Sequence, residues 1–292
     1  MKKSILAALA ILAMASCAKE NSTSETPSTD PVAATFSSAS ISRVADNAWE
    51  TNDKIGISMV QTTTTTLTGG DYYNVPYTVS AAGTSGTFTP DDTVIYFPVD
   101  GSEVDFYAYY PYAALDADDN LAVNVATQSF SRIDIVAAKA AAKTKRSPTV
   151  TFSGDEAFTH QLSKLTVTLV AGVGIDDLAG ITTTIKGQYT TAKYNLYTSV
   201  ISSEGDVADI TAVSAADGST AEAILIPTAS VAGSTIVFTL DGDDYIWDTS
   251  SIAFTQGSEH NYEITVTKTG LVVSGATISG WGDGASNSGT AE

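Results

Sequence analysis

The chain has a single cysteine, Cys17, among 292 residues. No disulfide can form within it, so buried apolar surface must hold the fold, and a chain well over about 100 residues long can supply enough. Histidine is nearly missing too. His160 and His260 are the only two, they fit no HExxH spacing, and no thiolate joins them, which argues against a zinc site. Basic residues are scarce: 14 Lys and Arg stand against 33 Asp and Glu, for a net charge of −19. Such a surface repels nucleic acid and anionic lipid, which excludes nucleic acid as a partner. There is no P-loop, no G-x-G-x-x-G after a strand and no G-x-S-x-G elbow. Carboxylates abound, so counting does not exclude glycosidase chemistry, but no pair has a privileged spacing. The sequence therefore names no catalytic residue, no metal ligand and no cofactor.

Long apolar runs are missing as well, with one exception. Lys2 and Lys3 precede an apolar run over residues 4–15, followed by Ser16, Cys17 and a polar stretch. The run is shorter than the roughly 20 residues a membrane-spanning helix needs. A basic start, a short apolar core and small residues before the break make a bacterial secretory signal, residues 1–16. Met14-Ala15-Ser16-Cys17 resembles a lipobox, in which the cysteine is diacylated and the signal cut away before it. The alternative is a plain secreted protein cut near Ala15 or Ser16 that keeps a free thiol. Residues 17–33 read as a flexible leader, since 20–31 is rich in Ser, Thr, Pro and Glu with no apolar period.

What remains is β-rich. Thr, Ser, Val, Ile, Tyr and Gly dominate in short alternating runs with turn residues between them, as in β-sandwiches. A strand with few anchors is expected at 34–42, and Arg43 follows it. The clearest strand of the first half is Val104–Tyr110, stopped by Pro111; the aromatics at 106–112 are either core alternating with exposed Tyr, or a sugar platform. Residues 61–70 read as a hairpin tip or mobile loop. Residues 133–146 read as the one helix-like piece: Ala-rich, with Lys139 and Lys143 four apart, forming a solvated crossing or a basic docking patch. In the second half, strands are expected at 165–170, 181–185, 192–200, 222–227 and 235–240. Asp241-Gly242 suits a hairpin turn. Asp116-Ala117-Asp118-Asp119-Asn120 begins like a calcium loop, but Leu121 and Thr127 stand where an EF-hand needs Gly and Glu, so it reads as a turn. The domains divide at 34–157 and 158–292, the second ending in a polar tail.

Five stretches in order resemble fimbrillin-family (Mfa-like) lipoproteins, subunits of type V pili. They are Trp49-x-x-x-Asp53-x-Ile55-Gly56, Phe106-x-x-Tyr109-Tyr110-Pro111-Tyr112, Asp134-Ile135-Val136-Ala137-Ala138, Phe158-x-His160-x-Leu162-Ser163-Lys164-Leu165 and Ile278-x-x-Trp281. The resemblance runs from the lipobox to Trp281. It implies an all-β fold of two tandem transthyretin-like Greek-key β-sandwich domains, no catalytic activity and no cofactor. It also implies a route: export as an outer-membrane lipoprotein through Cys17, exposure on the cell surface, then cutting by an Arg-specific protease. Arg43 and Val44 match the processing position by place. Cutting removes the first strand, and a strand of another pilus subunit fills the groove. Partners would be other subunits and a host or bacterial surface receptor, with the fimbrium as final location. The sequence departs from the family at the C-terminus, where 282–292 lacks an apolar donor segment. A donor would have to lie at 271–281, with Leu271, Val273 and Ile278 filling pockets, though that segment equally suits the last strand of its own domain. Two other readings stay open: an uncut basal anchor that keeps its lipid, and a surface lipoprotein binding glycan or another ligand through exposed aromatics.

Overall fold

The computed structural model describes residues 30–39 and 48–281, and within them the fold is all-β, as the composition suggests. Cys17, Arg43 and Val44 lie outside the described residues. The first half runs β1 (Thr35–Ser38), β2 (Lys54–Gln61), β3 (Tyr72–Val79), β4 (Gly86–Pro90), β5 (Val104–Tyr110) and β6 (Asn120–Asn124). A one-turn helix, α1 (Phe130–Ile133), precedes β7 (Val136–Lys143), β8 (Thr149–Phe152) and β9 (Thr159–His160). The second half continues with β10 (Ser163–Ala171), β11 (Thr182–Lys186), β12 (Thr191–Asn195), β13 (Val200–Ser203), β14 (Ile210–Thr211) and β15 (Val213–Ser214). It closes with β16 (Thr220–Leu225), β17 (Thr235–Leu240), β18 (Asp243–Asp248), β19 (Ser258–Thr267) and β20 (Gly270–Gly280).

Four sheets result. The largest has eight strands in the order β8-β1-β4-β3-β2-β5-β7-β9. The others are β15-β16-β10-β19-β20, β14-β11-β17-β18 and β13-β12-β6. Local chemistry explains several turns. Asp241 and Gly242 both take positive φ, 54° and 92°, the conformation that joins two strands through a two-residue hairpin. The strand expected over 192–200 is instead a hairpin, β12 and β13. Asn195 accepts the Thr198 N–H at 2.8 Å and turns the chain back.

Buried side chains form two clusters. One holds first-half residues only, among them Phe36, Trp49, Ile55, Tyr77, Phe106 and Phe152. The other combines Tyr107, Tyr109, Leu121 and Val123 with residues from 162 to 281. β5 serves both: Val104, Phe106, Ala108 and Tyr110 enter the first core, and Tyr107 and Tyr109 enter the second. The expectation that β5 exposes one face is therefore corrected, because the second core covers that face. Phe158, where the domain division was placed, packs in the first core, and Leu162 packs in the second. β6 pairs with β12, so the third small sheet contains strands from both halves.

The helix expected over 133–146 is a strand for most of its length. Alanine favours helix intrinsically, but only by tenths of a kcal/mol per residue over most others. Here β5 pairs along one edge of β7 and β9 along part of the other. Those ladders, and the burial of Val136, Ala138 and Ala140, override the propensity. Three of the four bases between Lys139 and Arg146 are engaged. Lys139 meets Asp105 at 3.0 Å, Lys143 meets Glu156 at 2.7 Å, and Lys145 donates to the Val99 carbonyl. They do not form a shared basic patch. The 61–70 connection between β2 and β3 is tied down at Leu67, which is buried and whose N–H donates to Asp119 at 2.8 Å.

Candidate functional site

Four residues make β1, yet it lies inside the large sheet. It runs antiparallel to β4, with Phe36 opposite Phe88, and parallel to β8, with Phe36 opposite Val150. The flanking chain adds to this pairing: Ala34 N–H donates to the carbonyl of Ile95, beyond the end of β4, at 2.9 Å, and Ala39 N–H to the Phe152 carbonyl of β8 at 3.1 Å. β8 is an edge strand whose neighbour in the sheet is β1. Taking β1 away would leave β4 and β8 each with an unpaired row of backbone donors and acceptors, which is costly unless another strand or water satisfies them.

Side chains of β1 alternate as a strand requires. Thr35 and Ser37 face outward and reach Thr149 and Thr151 at 3.2 and 3.0 Å. Ala34, Phe36 and Ser38 face inward and are buried. The Phe36 ring meets Tyr77 and Phe106 edge-on at 5.1 and 5.0 Å and stacks over Phe152 at 6.4 Å. Ser38 does polar work in this apolar slot. Its Oγ accepts the indole Nε1–H of Trp49 at 2.8 Å and the backbone N–H of Gly86 at 3.1 Å. Trp49 is itself wedged edge-on against Phe88, Tyr110 and Phe158. Gly86 is required there, since a Cβ would come within 2.8 Å of the indole. Sequence reasoning expected a strand here from Phe36 but missed Ser38. One serine in a run of small polar residues gives no signal; only the Trp49 motif hinted at a buried indole in need of a partner.

The opposite end of the chain is β20, at the edge of the five-stranded sheet and paired with β19 alone. A bulge at Ser274 shifts its register, so Leu271, Val273 and Ile278 stand opposite Val266, Ile264 and His260. Those three partners are buried, so Leu271, Val273 and Ile278 share one face of β20, and of the three Leu271 packs against the second core. Val272 and Val273 remain about half exposed. Trp281 closes the strand. Its ring lies flat on His160 at 3.9 Å and 7°, and its backbone N–H donates to the Gly257 carbonyl at 2.8 Å. His160 in turn holds Asp134 through Nδ1 at 2.9 Å, with both side chains buried. The motifs around Asp134, His160 and Trp281 thus meet in one cluster. Lys164, from the same motif as His160, lies between Glu222 and Glu259 at 2.9 and 3.2 Å. Burial alone would lower its pKa; the two carboxylates outweigh burial and raise it.

His260 is buried without a charge partner. The Thr255 N–H donates to its Nε2 at 3.1 Å, so the proton of the neutral ring sits on Nδ1. Burial lowers its pKa from 6.5 to about 4. Between those values the unfolded chain binds a proton that the folded chain refuses. Stability is therefore full above pH 6.5 and falls as pH drops toward 4, by roughly 3 kcal/mol from this group. Urea unfolding from pH 7.5 down to 4 should show this slope in the native chain and a flatter one in His260→Leu. An unchanged slope in the variant would assign the effect to the carboxylates instead.

Other sequence candidates are structural. Asp116 accepts the N–H groups of Asp118 and Asn120, both at 2.9 Å, and the Asn120 backbone bond leads the causes that hold its carboxyl well below the usual range. The Asp116–Asn120 loop is a turn. Tyr109 does not form a sugar platform: it is fully buried, and its hydroxyl donates to Asn74 at 2.9 Å. Burial pushes its phenol up.

A family model described as fimbrillin-like matches residues 42–281. Over the whole length of both chains, the sequence is 37% identical to a candidate fimbrium subunit, Fim1C, of Bacteroides uniformis. A crystal structure of a candidate cell adhesion protein from the same species superposes with a TM-score of 0.74 at 35% identity, covering 87% of this chain and 99% of that one. The tip fimbrial protein Mfa3 of Porphyromonas gingivalis shares the fold, with a TM-score of 0.51 at 9% identity over 85% of this chain and 99% of that one.

Proposed function

The chain belongs to the fimbrillin-like family and is a structural subunit of a cell-surface pilus, and we propose that it enters that pilus by exchanging its first strand for one from another subunit. The observation that carries this reading is the place of β1, a four-residue strand held between β4 and the edge strand β8 of the large sheet. Arg43 stands five residues beyond it and six before Trp49. A cut between Arg43 and Val44 separates β1 from the sheet that surrounds it. Backbone pairing and the aromatic seat of Phe36 then call for a replacement, and an extended segment supplies both at once. The contact is head to tail and does not close on itself, so repetition gives a fibre.

In this reading residues 1–16 are the signal peptide, and Cys17 carries the lipid that holds the subunit at the outer membrane until Arg43 is cut. Residues 17–33 are the leader. The unit 34–157 carries the slot and the unit 158–292 the donor, two transthyretin-like sandwiches in tandem. The donor is the segment 271–281, with Leu271, Val273 and Ile278 among its apolar residues. Partners are other subunits and a surface receptor. We assign the chain no catalytic role and no cofactor. After the cut, 10 bases and 30 acids remain, a net charge of −20 that keeps neighbouring shafts apart at low salt.

The test is the fate of the chain under an Arg-specific protease. One cut after Arg43 should leave a resistant body beginning at Val44, which then forms multimers in a concentration-dependent way. Arg43→Ala should stay intact and monomeric. Multimers of the uncut variant would overturn the reading. A body that is cut yet never multimerises would exclude a polymerising stalk role.

A further inference from the structure

We propose that the slot selects its incoming strand by a hydroxyl: a strand of a second copy of this chain is held when a serine or threonine takes the place of Ser38, and in β20 that residue is Ser274. The inference rests on the strand-exchange reading and adds what that strand must carry.

Ser38 leaves with β1, whereas both of its partners stay. Trp49 and Gly86 lie beyond the cut, and each donates to the same oxygen, at 2.8 and 3.1 Å. Trp49 is 1% exposed and Ser38 2%. Phe88, Tyr110 and Phe158 hold the indole from three sides, so it cannot swing out to find water. An entering strand with an apolar residue at this position would leave a buried indole N–H and a buried amide N–H without an acceptor, each costly by itself. A larger polar residue has little room, because Ser38 is already enclosed at 2% exposure against the Trp49 indole. The slot thus asks for three inward residues in order: a small one where Ala34 sits, an apolar one where Phe36 sits, and a hydroxyl where Ser38 sits. Between Gly270 and Gly280 this spacing occurs once for a strand running in the direction of β1, at Gly270, Val272 and Ser274. Val272 is 54% exposed, so its present packing does little to hold it back. This frame seats Val272 instead of Leu271 and Val273, which point to the opposite face of a regular strand.

Labelled synthetic peptides test this on the full chain cut at Arg43. The first pair is residues 31–40 and the same peptide with Ser38→Ala; the second is residues 268–277 and the same peptide with Ser274→Ala. Uptake is read by co-migration with the body, and Trp49 emission reports the indole. Each alanine peptide should bind at least tenfold more weakly than its parent. Equal binding of serine and alanine peptides would overturn the hydroxyl requirement while leaving strand exchange standing. Entry of 31–40 but not 268–277 would overturn Ser274 and the second copy as the source. If no peptide enters, not even 31–40, strand exchange itself fails, and the hydroxyl requirement with it.

Discussion

Phe36→Ala should cost the intact chain about 3–5 kcal/mol, the range for removing a buried aromatic ring from a packed core. The ring is 1% exposed and touches three other aromatic rings from two sides. Alanine loses that burial and leaves a cavity that the neighbours cannot close. Tyr77 and Phe106 sit on β3 and β5, each held by strands other than β1, while Phe152 sits on the edge strand β8, which β1 itself pairs. The backbone of β1 keeps its pairing, so the loss measures the seat and not the strand. Phe36→Leu keeps most of the volume and should cost about 1–2 kcal/mol. Denaturant unfolding followed by Trp49 emission checks both, with Trp49 acting as a reporter inside the same core. A shift under 1 kcal/mol for the alanine variant would show that the ring contributes little to holding β1. The result also bears on assembly. Whatever stabilises β1 in its slot must be matched by the strand that replaces it, so Phe36→Ala should speed exchange after the cut as well as weaken the uncut chain.

Trp281→Ala should have a comparable effect at the other end, again about 3–5 kcal/mol. Trp281 is 8% exposed and lies flat on His160, while its main-chain N–H, which alanine would keep, donates to the Gly257 carbonyl. Gly257 N–H in turn donates to the Leu162 carbonyl at 3.0 Å. Removing the indole uncovers the His160–Asp134 pair and loosens the last turn of the ladder between β19 and β20. Trp281→Phe retains a flat ring against the imidazole and should recover much of the loss. Amide exchange in β20 separates this from a general destabilisation. In Trp281→Ala the protection of 276–280 should fall before that of β10 or β16. Uniform loss across the five-stranded sheet would show that Trp281 supports the core as a whole and does not specifically fasten β20. A fastened β20 matters for the proposed donor, because a segment that must leave one sheet to enter another is governed by what holds its end.

Much of this was legible in the sequence. Alternation and turn residues located most strands, and β5 and β17 have the expected bounds. The five short motifs pointed to the family because each marks a place with a demanding environment: Trp49 beneath β1, the aromatics of β5 between two cores, and Asp134, His160 and Trp281 in one cluster. What escaped was whatever depends on neighbours far along the chain. β7 looks helical because seven residues of Ala and Lys carry no sign of the strand waiting on either side. β5 looks half exposed because the residues covering its outer face come from 121 onward and from the second half. Leu271, Val273 and Ile278 do not share a parity, and only the bulge at Ser274 brings them to one face.

Composition and two-residue alternation determined the class of protein: β-rich, strongly acidic, unable to form a disulfide within the chain and without a recognisable catalytic motif. Those properties follow from counts and from periods of two residues, which are local. The tertiary structure decided where β1 lies, and with it the meaning of a weak four-residue strand. A sequence can show that Phe36 is apolar and Ser38 small, but not that both are enclosed between β4 and β8 or that the indole of a tryptophan eleven residues away donates its N–H to Ser38. Pairing partners are chosen by long-range packing, so a strand's worth to the fold is fixed by its neighbours and cannot be read from its own four residues.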